Sequence, residues 1–320
     1  ISLLGGGSDI DWFVDKHRRG FVIGGSLGIH SRVIVSFRPS NAIRGILNYS
    51  SREEYTNINL ISHPIIRASL KKLDFEMPIE MSSFGGEFSS AGLGSSSSFS
   101  VALLKALSEL KNEPIDNQDI AHLASEVEIK DLGNPIGRQD QYLCAMGGIN
   151  FLEFKYNERP SKRKYPKIKS AIESYLNKCY LVDTGIKRSA SETLEKIRSD
   201  EKSYESILNI LNIADDFIIE ANKIEEESKI ISLLERKILL SWETKRNITG
   251  VMNEELINIE NKLNNANFIV LKLLGAGGGG NFLVRHAGDD LNNDCNSLTQ
   301  ANLKHISVQL SYEGCRIWKI

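Results

Sequence analysis

The sequence predicts a mixed α+β chain that divides near its middle, and three observations carry that expectation. Apolar, β-branched runs alternate with helix-periodic segments along the chain. Its 320 residues suit one large or two ordinary domains. A stretch rich in lysine, arginine and proline, 155–170, breaks the pattern and is the best place for a boundary, giving domains 1–168 and 169–320. Hydrophobic content of 41% and charged content of 25% are those of a soluble globular protein. A net charge of −2 gives no reason to expect nucleic acid as a partner. No apolar run reaches the roughly 18–20 residues of a membrane span. Cys144, Cys179, Cys295 and Cys315 are scattered without a CxxC pair, which points to a reduced, cytoplasmic setting. The opening Ile-Ser-Leu-Leu-Gly has neither a methionine nor a signal pattern and reads as a trimmed start.

In chain order, Ile1 to Leu4 is an apolar strand and Gly5-Gly6-Gly7-Ser8-Asp9 a tight polar turn. The glycines allow unusual backbone angles and set Asp9 beside bare backbone. Asp9 then reads either as an Asx-turn or cap of the short segment Ile10 to His17, or as a carboxylate gripping ligand hydroxyls. Phe21 to Phe37 holds two further strand-like runs, and Tyr49 to Tyr55 reads as a loop. His63 to Leu73 is a helix with Pro64 in its first turn. Ile79 to Phe84 is a strand that feeds the stretch Ser89-Ser90-Ala91-Gly92-Leu93-Gly94-Ser95-Ser96-Ser97-Ser98.

That stretch runs into helical spacing at Phe99, Leu103, Leu107 and Leu110, so it lies at a helix N-terminus. Unpaired N–H groups and about half a positive charge gather there, which makes a phosphate cradle. Alone, the stretch reads equally well as a linker before a serine-capped helix. Asn117 to Leu132 is a second amphipathic helix. Ile120, Leu123, Ala124, Val127 and Leu132 lie near one face, and Glu126, Glu128, Lys130 and Asp131 mostly on the other. Gly133-Asn134-Pro135 stops it. Ile136 to Tyr142 and a Gly147-Gly148 turn then lead into the strand Ile149 to Phe154.

A strand from Cys179 to Val182 ends at Asp183-Thr184-Gly185-Ile186-Lys187-Arg188, where the cation pair suits either a phosphate or plain surface. Ser189 to about Leu263 reads as three or more helices that cover the core. Phe268 to Leu274 is a strand, and Gly275-Ala276-Gly277-Gly278-Gly279-Gly280 follows it. These glycines fit the letters of GxGxxG, but a dinucleotide fingerprint requires a helix next. Phe282-Leu283-Val284 is β-like, so a strand–turn–strand element is expected instead. Asp289 to His305 contains a helix, and Tyr312 to Ile320 is expected to close the fold as a strand.

Three of these stretches, in this order, resemble the motifs of the GHMP kinase family: Ile1 to Asp9, Ser90 to Ser96, and Leu273 to Gly280. Within the family the chain is most similar to sugar 1-kinases, especially D-glycero-D-manno-heptose 7-phosphate kinases. The matching segments are Gly5 to Asp9, Gly137 to Tyr142, Gly147 to Phe154 and Thr184 to Ala190. It departs from the family at Glu87-Phe88-Ser89-Ser90, where proline and an earlier glycine are usual, and the family's arginine before the first strand would precede Ile1.

The resemblance implies a two-domain α+β fold, with a ribosomal-protein-S5-like N-terminal domain and a ferredoxin-like C-terminal domain. It implies ATP and Mg²⁺ as cofactors and phosphorylation of an anomeric hydroxyl, above all that of a heptose 7-phosphate, giving the 1,7-bisphosphate. A fucokinase- or galactokinase-like enzyme acting on an unphosphorylated sugar is the alternative, and a non-catalytic sugar- or nucleotide-binding relative is the other. By the same resemblance, Ser90, Ala91, Gly92, Leu93, Gly94, Ser95, Ser96 and Ser97 hold ATP. Ser96 and Glu128 hold Mg²⁺, and Asp140 is the base. Gly6, Gly7, Ser8, Asp9, Gln139, Lys187, Arg188, Gly277 and Gly278 meet the sugar phosphate. A monomer or homodimer without nucleic-acid or membrane partners is expected.

Overall fold

The computed structural model describes residues 1–39, 41–85, 92–186, 190–288 and 294–319. Three four-stranded sheets organise them. The first joins Ser2–Leu4, Arg19–Gly25, Ile149–Lys155 and Ser161–Arg163, antiparallel throughout. The strand Ile149–Lys155 is buried at every position but the last. Side chains alternate across a strand, so such a strand needs cover on both faces. Phe21, Ile23, Ile149 and Phe151 point into a core shared with Ile172, Ile207, Phe217, Trp242, Leu271 and Phe282. Val22, Leu152 and Phe154 point the other way, onto Val101, Leu104, Ile120, Ala124 and Leu143.

The second sheet has the order Arg32–Phe37, Ile79–Phe84, Gly45–Asn48, Arg52–Tyr55, with one parallel pairing, Gly45–Asn48 against Ile79–Phe84. The helix Ser95–Leu110 sits between the first two sheets. Leu103 and Leu107 pack on Leu47, Ile79 and Met81, while Val101 and Leu104 face the first sheet. A helix gripped on two sides holds its N-terminus in one place, and that end becomes a wall of the site below. The third sheet has the order Phe268–Leu273, Asn281–His286, Cys179–Asp183, His305–Ser307. The long helices Glu201–Ala221 and Glu227–Arg246 pack on one another and bridge the first and third sheets through the shared core.

The glycine run 275–280 joins antiparallel strands, as its β-like successor requires. Three expectations are corrected, those for Tyr49 to Tyr55, Asn117 to Leu132 and Tyr312 to Ile320. The segment Tyr49 to Tyr55 is not a loop: Arg52–Tyr55 pairs with Gly45–Asn48 as a hairpin. The basic stretch 155–170 supplies the strand Ser161–Arg163 and opens the helix Pro166–Leu176. Of its cations Arg163 is drawn in by a buried carboxylate, Glu153, which is 7% exposed and also receives Arg19. The amphipathic helix ends at Ser125 and continues as a π-helical turn, Glu126–Asp131, in which Leu132 N donates to Val127 O five residues back. Tyr312 to Ile320 forms no strand among the described residues. Gly314, at φ 66°, turns the chain so that Cys315 N reaches Ala145 O.

Candidate active site

A cavity of about 350 Å³ opens where the two glycine-rich loops meet. Gly92 and Gly275 touch across it: a β-carbon on Gly275 would lie 2.5 Å from Gly92 Cα, and one on Gly92 would lie 2.9 Å from Leu274 O. Both residues have positive φ, at 91° and 74°, so glycine is required twice over. Gly94, at φ 68°, is the N-cap of the helix Ser95–Leu110 and offers no capping side chain. The first amides of that helix are therefore left for a ligand, with the dipole behind them.

Around this contact the structure gathers Gly6, Gly7, Asp9, Gly92, Gly94, Ser95, Ser96, Ser97, Glu128, Gln139, Asp140 and Gly277. Asp140 lies in the first turn of the helix Gln139–Met146, and a β-carbon on Gly94 would be 3.3 Å from its Cγ. Burial pushes the Asp140 carboxyl up from its usual range, opposed by Lys245. Glu128 is 1% exposed. The widened π turn moves it off the polar face on which a regular helix would leave it. Its Oε2 accepts from Ser96 Oγ at 2.7 Å and its Oε1 from Gln141 Nε2 at 2.9 Å. Burial raises its pKa as well.

Asp9 accepts from Gln139 N at 2.9 Å and from Gly7 N at 3.2 Å, so it ties the first glycine turn to the segment ahead of Asp140. Burial holds it up at about 6. Beside it Gln139 Oε1 is buried with no hydrogen-bond partner among the described residues. That is an acceptor awaiting a hydroxyl or amide donor.

Other residues fall elsewhere. Ser8 is fully buried away from the cavity, its hydroxyl 2.7 Å from Gly5 O and accepting from Phe21 N. Gly278 is absent from the wall, its N–H spent on Val251 O. Leu93 lines a neighbouring cavity of about 1020 Å³, which shares Ser95 and Asp140 with the first. Ser90, Ala91, Lys187 and Arg188 lie outside the described residues, as does the Ser89-Ser90 entrance.

Two wall residues are not anticipated by the motifs. Lys245 Nζ donates to Leu273 O at 3.0 Å and Gly275 O at 2.6 Å, and Lys272 Nζ to Leu3 O at 3.0 Å. Burial brings Lys245 down to about 8 and Lys272 well below its ordinary value. Both carry a signal in the sequence. Lys272 interrupts the apolar strand Phe268–Leu273, and Lys245 follows Ile238 and Trp242 at helical spacing on a buried face.

Residues 63–148 match the family described as the GHMP kinases N terminal domain. The chain is 30% identical over 300 residues to the D-glycero-alpha-D-manno-heptose 7-phosphate kinase of Campylobacter jejuni, covering 88% of this chain and 85% of that one. The chain belongs to the GHMP kinase family. It is also 26% identical over 274 residues to the mevalonate kinase of Methanocaldococcus jannaschii, covering 81% of this chain and 74% of the relative. Among solved structures it resembles a D-glycero-D-manno-heptose 1-phosphate kinase from Bacteroides thetaiotaomicron, with a TM-score of 0.70 at 19% identity over 100% of this chain and 96% of that one. It also resembles the Lactococcus lactis galactokinase complexed with galactose, with a TM-score of 0.72 at 16% identity over 98% and 92%. The mixed α/β architecture is thus that of GHMP kinases, and the protein is a kinase. No helix among the described residues is long and apolar enough to cross a membrane.

Proposed function

We propose that this GHMP kinase transfers the γ-phosphoryl group of ATP to the anomeric hydroxyl of a sugar phosphate, D-glycero-D-manno-heptose 7-phosphate giving the 1,7-bisphosphate. The observation that carries the chemistry is the seat of Asp140, whose carboxyl stands against Gly94 at the open helix N-terminus. A base there meets the acceptor hydroxyl where the phosphate chain ends. The acceptor oxygen attacks the γ-phosphorus, the bond to the bridging oxygen breaks, ADP leaves, and the hydroxyl proton passes to Asp140. Such transfer demands positioning and charge neutralisation more than covalent help from the protein.

Ser96 and Glu128 fit Mg²⁺. They place a hydroxyl and a carboxylate, both hard oxygen donors, 2.7 Å apart on the cavity wall, and Gln141 orients the second carboxylate oxygen. When bound there, Mg²⁺ neutralises phosphate charge. The amides of Gly92 to Ser97 hold the phosphates. Gln139 Oε1, unpartnered beside Asp9 among the described residues, suits a sugar hydroxyl. Lys187 and Arg188 are the cations the sequence offers to a distal phosphate. The choice of heptose rests on the Campylobacter relative. We assign the working units to 1–168 and 169–320; sheet membership changes between Arg163 and Cys179.

The test is a product assay with ATP, Mg²⁺ and a panel of sugars and sugar 7-phosphates. Turnover of the heptose 7-phosphate well above neutral sugars is expected. Preference for an unphosphorylated sugar would replace the substrate, and no transfer to any acceptor would leave a binding protein. Asp140→Ala is expected to lose about 10²–10⁴-fold in kcat with ATP affinity largely kept. A fully active variant would sink the base assignment.

A further inference from the structure

The most unusual group on the wall is Lys245. It lies in the last turn of the helix Glu227–Arg246, and its ammonium bridges Leu273 O and Gly275 O. Those carbonyls flank the point where the glycine run touches Gly92. An ammonium has three donors, so one remains. Lys245 lines the same cavity as Asp140, Ser96 and Glu128, and its charge acts on Asp140. A cation fixed by two carbonyls needs little rearrangement when negative charge arrives, and that preorganisation is what stabilises a transferring group.

We propose that Lys245 is the cation of the transfer site, braced by the glycine run and giving its remaining N–H to the phosphoryl group as it passes from ATP to the acceptor. The inference rests on the kinase reading of the cavity. The step keeps the balance stated above: Lys245 neither gains nor loses a proton, and the acceptor proton still goes to Asp140.

The charged groups that face Lys245 are Asp140, on the helix Gln139–Met146, and Lys272, on the strand Phe268–Leu273. Asp9 and Glu128 stand further round the wall, and the Cys144 thiol is raised by burial and in turn by Asp140. Burial brings the Lys245 ammonium down to about 8, against the opposing pull of Asp140. In the free enzyme it therefore loses its charge at mildly alkaline pH, and an arginine in its place would not.

The experiment measures kcat and kcat/KM from pH 6 to 10 for the wild type, Lys245→Arg and Lys245→Met, with melting temperatures alongside. The wild-type kcat/KM is expected to fall above about pH 8, the limb set by the free enzyme. That limb should be missing from both variants. Lys245→Met should lose about 10²-fold in kcat with KM for ATP within about threefold. A limb that persists in both variants, or a Lys245→Met enzyme with wild-type kcat, overturns the inference. Asp140→Asn, assayed in parallel, probes the underlying reading by itself. Wild-type kcat in that variant removes the base role, while the Lys245 assignment still stands or falls with the alkaline limb.

Discussion

The two glycine-rich loops look alike in sequence and do opposite things. At Gly92 to Ser98 the glycines precede a helix, and what matters is what they leave exposed: amides with no capping side chain. At Gly275 to Gly280 they join two antiparallel strands, and what matters is what they leave out. A β-carbon on Gly275, Gly277 or Gly279 would lie within 2.8 Å of Gly92, Val251 or Ile186. Gly94 of the first loop leaves a helix start bare, whereas Gly92 and the second loop are glycine because their backbones meet neighbours closely. Composition alone does not separate these uses; the element that follows each loop does.

The comparison breaks hardest at Gly275. Alanine there forces a methyl into Gly92 Cα and strains a backbone held at φ 74°. We expect a loss of about 3 kcal/mol in stability and near-complete loss of transfer, because the displaced loop presses on the one proposed to hold the phosphates. Gly133→Ala is the matched control. Its φ is 69°, but nothing lies within 4 Å, so only the backbone strain of about 1 kcal/mol should appear in a urea titration. Equal costs at the two sites would mean that the loops do not need to touch.

Ser96→Ala comes next. It leaves the loop backbone unchanged and removes the hydroxyl held 2.7 Å from Glu128. Transfer should drop about 10–100-fold and half-saturation by Mg²⁺ should rise, since one of the two proposed protein ligands is gone. An unchanged Mg²⁺ titration would move the metal elsewhere.

Much of this is legible in the sequence, and what is not has physical causes. Periodicity finds the strands Ile79–Phe84 and Phe268–Leu273 and the helix after the serines, because each buries a continuous apolar face. The inward turn of Glu128 is not legible. It depends on a π turn that adds one residue to the helical repeat, and no pattern in Glu126 to Asp131 marks it. The strand Ser161–Arg163 is hidden for a related reason: its pairing is driven by Glu153, whose need for cations appears only once the sheet is formed. Lys245 stays inconspicuous because a lysine on a long charged helix is ordinary until its neighbours on the same face prove to be buried.

The third glycine stretch, Gly5 to Gly7, extends the contrast through Asp9. Burial holds its carboxyl at about 6, against about 3.9 for a free aspartate. Between those values the folded chain keeps a proton that the unfolded chain releases. This residue's contribution therefore falls as pH rises from about 4 to about 6. The stability difference between the wild type and Asp9→Asn should shift against the wild type by about 2 kcal/mol over that range. A constant difference would show that the bonds from Gln139 N and Gly7 N cancel the burial.

The smallest effect belongs to Ser98→Ala, and it decides how far the serines act as a set. Ser98 Oγ lies 2.6 Å from Ser31 Oγ and donates to Ser95 O at 3.1 Å, so its hydroxyl is spent within the fold. Removing it should cost about 1 kcal/mol in stability and leave kcat and the Mg²⁺ requirement within about twofold. Ser96 differs from it by two positions and by one partner, the carboxylate of Glu128. If Ser98→Ala lost as much transfer as Ser96→Ala, the loop would be acting through its shape alone. The partner would then explain nothing, and the division between a loop that serves a ligand and a loop that serves its neighbours would fail at its most specific point.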